Sequence, residues 1–314
     1  MLLKIYSIAL NTFKEALREP VYFILLSSAI ALIGLFPSLA LFVFREQTKF
    51  IIDSSMATTL TFGLAVAVLC ASSTISREIR NGTALLMMSK PVSRLLFIIS
   101  KALGIIAALT VFVFICSLAS IFSVQVAADQ FRLDFVTLFI YYGIIALASG
   151  IGAFRNFYAK KSFSESSVYA VCILLPLFTA AVQFLPVSKK LLPFPSELLP
   201  VLTLLFFAVW TMGAISVMLS TKLDMVANLT VSAFIFSIGL VSDYLFSTGK
   251  ITALKEIAYT IFPNWQFFWL ADAIANKTPV SWEYVIWCGA YFILYFLFCS
   301  VIAVTLFSDR EVAA

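Results

Sequence analysis

Apolar residues run through this chain in eight long stretches, near 21–44, 57–76, 97–124, 136–154, 166–186, 198–220, 225–247 and 283–307. At about 1.5 Å of rise per helical residue, each is long enough to cross roughly 30 Å of hydrocarbon. Ahead of them, Leu2, Ile5, Ala9, Phe13 and Ala16 recur at spacings of three and four, with Lys4, Asn11, Lys14, Glu15 and Arg18 among the remainder. That pattern predicts an amphipathic helix over 1–20, lying at a membrane surface. A cleaved signal peptide fits the same stretch poorly, because Lys14, Glu15 and Arg18 interrupt its apolar part and no small-residue cleavage site follows. Pro20 suits the first turn of the next helix. The expected fold is therefore all-α, a single polytopic transmembrane bundle of about eight spans with an N-terminal interfacial helix. Pro176 and Pro186 interrupt the fifth stretch, and a tight connector, Ser220 to Asp224, follows the sixth. Six full spans plus a re-entrant pair is the competing count.

Composition agrees with a bilayer environment. Of 314 residues, 62% are apolar and 12% charged, and the mean hydropathy is +1.05. Soluble domains run near 45–50% apolar and about 25% charged. The net charge of +5 sits mostly in short loops, where it carries orientation information rather than a nucleic-acid footprint. With a cytoplasmic N-terminus, inside segments hold thirteen basic and seven acidic residues, a net of +6, and outside segments hold eight and nine, a net of −1. Two basic clusters then fall inside: Arg77, Arg80, Lys90, Arg94 and Lys101, and Arg155, Lys160 and Lys161. The expected arrangement is a multi-pass protein with both termini cytoplasmic, and the expected location is a plasma or inner membrane. The longest non-cytoplasmic stretch, 248–282, holds an amphipathic piece from Ile251 to Ile261. Trp265, Trp269, Trp282, Tyr284 and Trp287 lie where the chain re-enters the bilayer. Anchoring at the interface is the favoured role of those rings, and an extracellular gate or cap is the alternative.

Several chemistries are excluded or poorly supplied. There is no histidine, which removes His-ligated zinc, HExxH proteases, Ser-His triads and histidine proton relays. Cys70, Cys116, Cys172, Cys288 and Cys299 all fall inside apolar runs without a CxxC pair, and read as packing residues. No GxxxxGK[ST] loop is present, so the chain has no phosphate loop of its own. No catalytic, cofactor or metal residue is expected. The span interiors are nearly free of charge: Lys101 lies near the start of the third span and is expected to snorkel to the headgroups, Asp243 lies near the outer end of the seventh, and Gln183 is neutral.

The most informative segment is Ser76 to Lys101, SREIRNGTALLMMSKPVSRLLFIISK. A short helix is predicted from Glu78 to Met88, with Ile79, Thr83, Leu86 and Met87 along one side. Gly82 permits close backbone approach, and Pro91 ends the helix. Such a helix is shaped to press on a cytoplasmic partner; an ordinary basic connector resting on anionic lipid is the other reading. At Glu78, Gly82, Thr83, Pro91, Val92, Ser93, Arg94 and Lys101 the segment resembles ABC-2-type permeases, the membrane subunits of ABC exporters, in an E-x-x-x-G-T loop followed by P-V-S-R and a lysine in the next span. The run FPNWQFFWLADAI, Phe262 to Ile274, and the ending Phe307 to Glu311 are also similar to that family. The resemblance implies a coupling loop over 77–96, with Glu78, Gly82, Thr83, Leu86, Pro91 and Arg94 at an ATPase-coupling interface. It implies ATP bound on a separate cytoplasmic subunit rather than on this chain, and a second permease copy or sibling. A self-contained secondary transporter, which needs a titratable group such as Asp243 or Gln183 facing a midplane cavity, and a structural membrane protein are the alternatives.

Overall fold

A computed structural model of the chain describes residues 2–43, 46–80, 93–126, 134–184, 195–247, 255, 259–270, 272–273 and 278–312. Among these the regular structure is helical, with no strand. The helices are α1 (Leu2–Arg18), α2 (Pro20–Ala40), α3 (Gln47–Ala71), α4 (Arg94–Val126), α5 (Phe135–Ala159), α6 (Phe163–Phe184), α7 (Leu198–Ser220), α8 (Met225–Leu240) and α9 (Trp282–Val312). A π turn, Ser72–Ser76, and a last α turn, Arg77–Arg80, extend α3. Seven helices among the described residues are long and apolar enough to cross a membrane, and the chain is an all-α, multi-pass membrane protein. Both helices of the pair named in the competing count, α6 and α7, are long and apolar enough to be among those seven. The short helix is α8, whose 16 residues rise about 24 Å before the helix breaks at Val241. Helix α3 starts earlier than the apolar pattern indicates, at Gln47.

The core sits where α3, α4 and α7 pack together, and α2 closes against α3 and α4. Helices α5 and α6 form a hairpin beside α2 and α4, and α9 lies along α7. Small and hydroxyl-bearing residues line these seams: Ser55, Thr59, Ser117, Ser120, Thr211 and Ser216 are buried. Without a hydrophobic driving force between helices in lipid, close packing and interhelical hydrogen bonds hold such contacts together. Pro37 inside α2 shows how a break is repaired. It lacks the N–H that would bond the carbonyl of Ile33, and that carbonyl accepts from Ser123 Oγ of α4 at 2.8 Å. Tyr22 and Tyr141 are buried completely; their hydroxyls donate to the carbonyls of Ala108 at 2.8 Å and Ile30 at 2.6 Å.

The amphipathic α1 packs on the first half of α4 and touches α6. The contact depends on Gly104, where an added Cβ would lie 2.5 Å from the carbonyl oxygen of Ala9 and 2.7 Å from Cβ of Thr12. Ala16 and Leu17 are buried, whereas Leu3 and Tyr6 stay exposed. The two ends of the bundle differ in chemistry. One end collects α1, the Arg77–Arg80 turn, the start of α4 and the α5–α6 connection. Phe307 of α9 stacks on Phe97 of α4 there, with ring centroids 6.0 Å apart. The opposite end carries the Lys49–Asp272 ion pair at 2.9 Å and the 3-10 turn Trp265–Phe268. Trp265 corrects the anchoring role expected of it: it is 2% exposed and packs on Phe236, Phe268 and the bare face of Gly239. Trp282 and Trp287 are exposed, as interfacial rings are. Of the predicted Ile251–Ile261 piece, 251–254 and 256–258 lie outside the described residues.

Candidate functional site

The strongest concentration of buried charge centres on Lys101. Its position in the first third of α4 turns the side chain inward, toward the end of α3, and leaves it 1% exposed. Nζ donates to Glu78 Oε1 at 2.7 Å and to the carbonyl of Thr74 at 3.0 Å. Glu15 Oε2 of α1 lies 3.8 Å away, and Nζ stands 5.8 Å from the centroid of the Phe97 ring. An ammonium has three N–H donors and no acceptor; here one goes to a carboxylate and one to a carbonyl, and a second carboxylate stands at ion-pair distance. Lys101 therefore does not snorkel. A buried ammonium is tolerated only when paired and hydrogen-bonded, and the two glutamates, themselves partly exposed, meet that requirement.

The Thr74 carbonyl belongs to the π turn. Backbone bonds in such a turn run from residue i to i+5, so the helix bulges by one residue. Ser76 Oγ, at the end of the bulge, donates to the carbonyl of Leu223 in the α7–α8 connection at 3.1 Å. Arg77 pairs with Glu19 at 3.0 Å, and Ile79 packs against the core. The last turn of α3 is thus held from three directions, by α4 through Lys101, by the α1–α2 junction through Glu19, and by the α7–α8 connection through Leu223. Beside it lies a cavity of about 470 Å³, lined by Asn11, Glu15, Arg18, Glu19, Arg77 and Glu78. Burial pushes the Glu15 carboxyl above its ordinary value; Lys101 and Arg77 oppose the shift and Glu78 and Glu19 add to it.

Of the residues expected at the coupling interface, Glu78 lies in this cluster. Arg94 is exposed at the first position of α4, just after Ser93, whose Oγ accepts from the Leu96 N–H at 3.3 Å and caps the helix. Gly82, Thr83, Leu86 and Pro91 lie outside the described residues. Asp243 is exposed in a second π turn, Asp243–Ser247, at the opposite end of the bundle. The side chain of Gln183 lies outside the described residues.

Two features escaped the sequence pattern. Glu15 reads there as part of the polar face of α1, and nothing in one helix tells that it will face a lysine on another. Asn228 is the second. It is fully buried and donates to the carbonyl of Ser216 at 3.0 Å and to Ser72 Oγ at 3.4 Å, while its Oδ1 accepts from Ser232 at 3.0 Å. It ties α8 to α7 and to the start of the π turn. A lone amide in an apolar run is the signal that finds it, since buried polar groups in spans are costly and kept for a reason. Among the described residues, no group of three or more His, Cys, Asp or Glu side chains is placed to hold a metal ion. The arrangement is chemically suited to transmitting force: a short turn leading to residue 81 is bonded to three separate parts of the bundle by charge-assisted and neutral hydrogen bonds. No family model matches this chain and no curated protein matches it significantly, so the similarity to ABC-2-type permeases rests on the residues quoted above.

Proposed function

We propose that the chain is the membrane-spanning permease subunit of an ABC-type exporter, which moves its cargo with work supplied by a separate cytoplasmic ATP-hydrolysing subunit. The single observation that carries this reading is the clamp on the last turn of α3. A push delivered to the 81–92 segment by a partner reaches the core through Glu78–Lys101, the interfacial helix through Glu15, and the α7–α8 connection through Ser76. The missing phosphate loop supports a reading in which nucleotide chemistry is supplied by another polypeptide. In this scheme the charged end of the bundle is cytoplasmic, the membrane is a plasma or inner membrane, and a second permease copy or sibling completes the translocation path. Glu78 and Arg94 act at the coupling interface together with Gly82, Thr83, Leu86 and Pro91. A self-contained secondary transporter is less well supported, because Asp243 lies on an exposed turn beyond the end of α8.

The test is isolation of the tagged chain from its native membranes, followed by reconstitution. An ATP-hydrolysing subunit is expected to co-purify. Glu78→Ala and Arg94→Ala are expected to lower transport and transport-linked ATP hydrolysis at least tenfold. Retention of full association and transport by both variants defeats the assignment of the loop. Transport by the purified chain alone, driven by an ion gradient, defeats the permease reading altogether.

A further inference from the structure

A second cavity, of about 530 Å³, opens at the charged end between α1 and the turn joining α5 to α6. Arg18, Arg155, Lys160, Lys161 and Glu165 are among the residues around it. Arg18 is already paired with Glu165 at 2.8 Å. Arg155, Lys160 and Lys161 have no carboxylate within salt-bridge distance among the described residues, which leaves three positive charges facing one concave site. The turn is built to gather them. Lys160 takes the left-handed conformation with φ of 50°, which reverses the chain. The Lys161 N–H donates back to the carbonyl of Arg155 at 3.4 Å, and Asn156 Nδ2 donates to the carbonyl of Lys161 at 2.8 Å.

The depth of the site is marked by the last turns of α5. Phe154, Phe157 and Tyr158 are exposed by 62%, 78% and 70%. Their rings pack on one another, with centroids 4.5 Å apart for Phe154–Tyr158 and 5.1 Å for Phe157–Tyr158. A tyrosine at a span end favours the headgroup level, where its ring is apolar and its hydroxyl stays wet. Arg155 follows Phe154 in the same last turns of α5, so the cationic cavity adjoins an exposed aromatic surface at the end of an apolar helix.

We propose that this cavity binds the headgroup phosphate of an anionic phospholipid. Arg155, Lys160 and Lys161 supply the charge, and the aromatic end of α5 receives the chains. A lipid seated there braces α1 against the α5–α6 hairpin next to the Arg18–Glu165 pair. The inference uses the membrane placement of the chain and does not depend on what the chain transports.

The test titrates the purified full-length chain in detergent with phosphatidylglycerol and with phosphatidylcholine of the same acyl chains, and counts bound lipid by native mass spectrometry. The expected result is preferential binding of phosphatidylglycerol, weakened by salt. Each of Arg155→Gln, Lys160→Gln and Lys161→Gln is expected to reduce it roughly fivefold, because a Lys or Arg near an anionic surface contributes about that factor. The charge-conserving pair Lys160→Arg and Lys161→Arg is expected to bind like the native chain. Thermal unfolding of each variant separates lost folding from lost binding. Equal binding of the two lipids, or native phosphatidylglycerol affinity in the folded triple glutamine variant, overturns the proposal. Displacement of the lipid by equimolar inorganic phosphate reassigns the cavity to a free anion. Loss of a co-purifying protein from the triple variant, with lipid binding unchanged, reassigns it to a protein contact; either result overturns the lipid assignment.

Discussion

Lys101 is the residue on which the charged end of the bundle depends. Removing one partner of a buried ion pair leaves the other charge uncompensated, at a cost of about 3–5 kcal/mol. Lys101→Met should therefore lower the unfolding temperature sharply in detergent, and the Glu78→Gln, Lys101→Met double variant should recover part of that loss. Recovery in the double variant separates charge pairing from simple packing. Glu15 gives the same cluster a pH dependence. Its carboxyl is held above the ordinary value of 4.5, chiefly by burial, so the folded state binds a proton more tightly than the unfolded chain does. Stability from this group falls as pH rises from 4.5 through the raised value. The Glu15→Gln variant mimics the protonated form, and its unfolding temperature should gain on that of the native chain across the same window. A difference that stays flat with pH sinks the assignment. The sequence showed Lys101 and Glu78 as charges near one another in a loop-and-span segment. It did not show that Lys101 turns inward, because snorkelling is the default for a lysine near a span end, and its burial comes from α1, α3 and α4 meeting around it.

At the level of elements, span positions were legible because a lipid solvent asks for long apolar runs, and α4, α5, α7 and α9 lie within a few residues of the pattern. The pattern was less informative where polar residues continue a helix beyond the hydrocarbon. Helix α3 begins at Gln47 and carries Lys49 and Asp53 in its early turns, which hydropathy alone reads as loop. Pro176 did not end α6, since its neighbours continue the helix around it. The seating of α1 on α4 was not legible at all, because it depends on the absence of a side chain at Gly104. Gly104→Ala places a methyl against the carbonyl oxygen of Ala9, and should destabilise the fold by about 1–3 kcal/mol by forcing the helices apart. Gly143→Ala, at a position whose Cβ would meet nothing within 4 Å, is the matched control and should be neutral or slightly stabilising. Denaturant unfolding of the pair measures both.

For the whole molecule, the packing places α1 and the end of α9 at the same end of the bundle, through Lys101 beside Glu15 and through Phe97 on Phe307. Tags on the two termini should thus be cleaved by protease from the same face of sealed vesicles, and cleavage from opposite faces would break the topology. The π turn has a larger consequence. It inserts one residue into α3, and one residue of an α-helix corresponds to about 100° of rotation. Which way Glu78 points is therefore set by whether the extra residue lies before or after it, not by the helix as such. Moving that surplus from before Glu78 to beyond it turns Glu78 by about 100° around the axis of α3. The setting seen here is the one held jointly by Lys101, by the Arg77–Glu19 pair and by the Ser76–Leu223 bond.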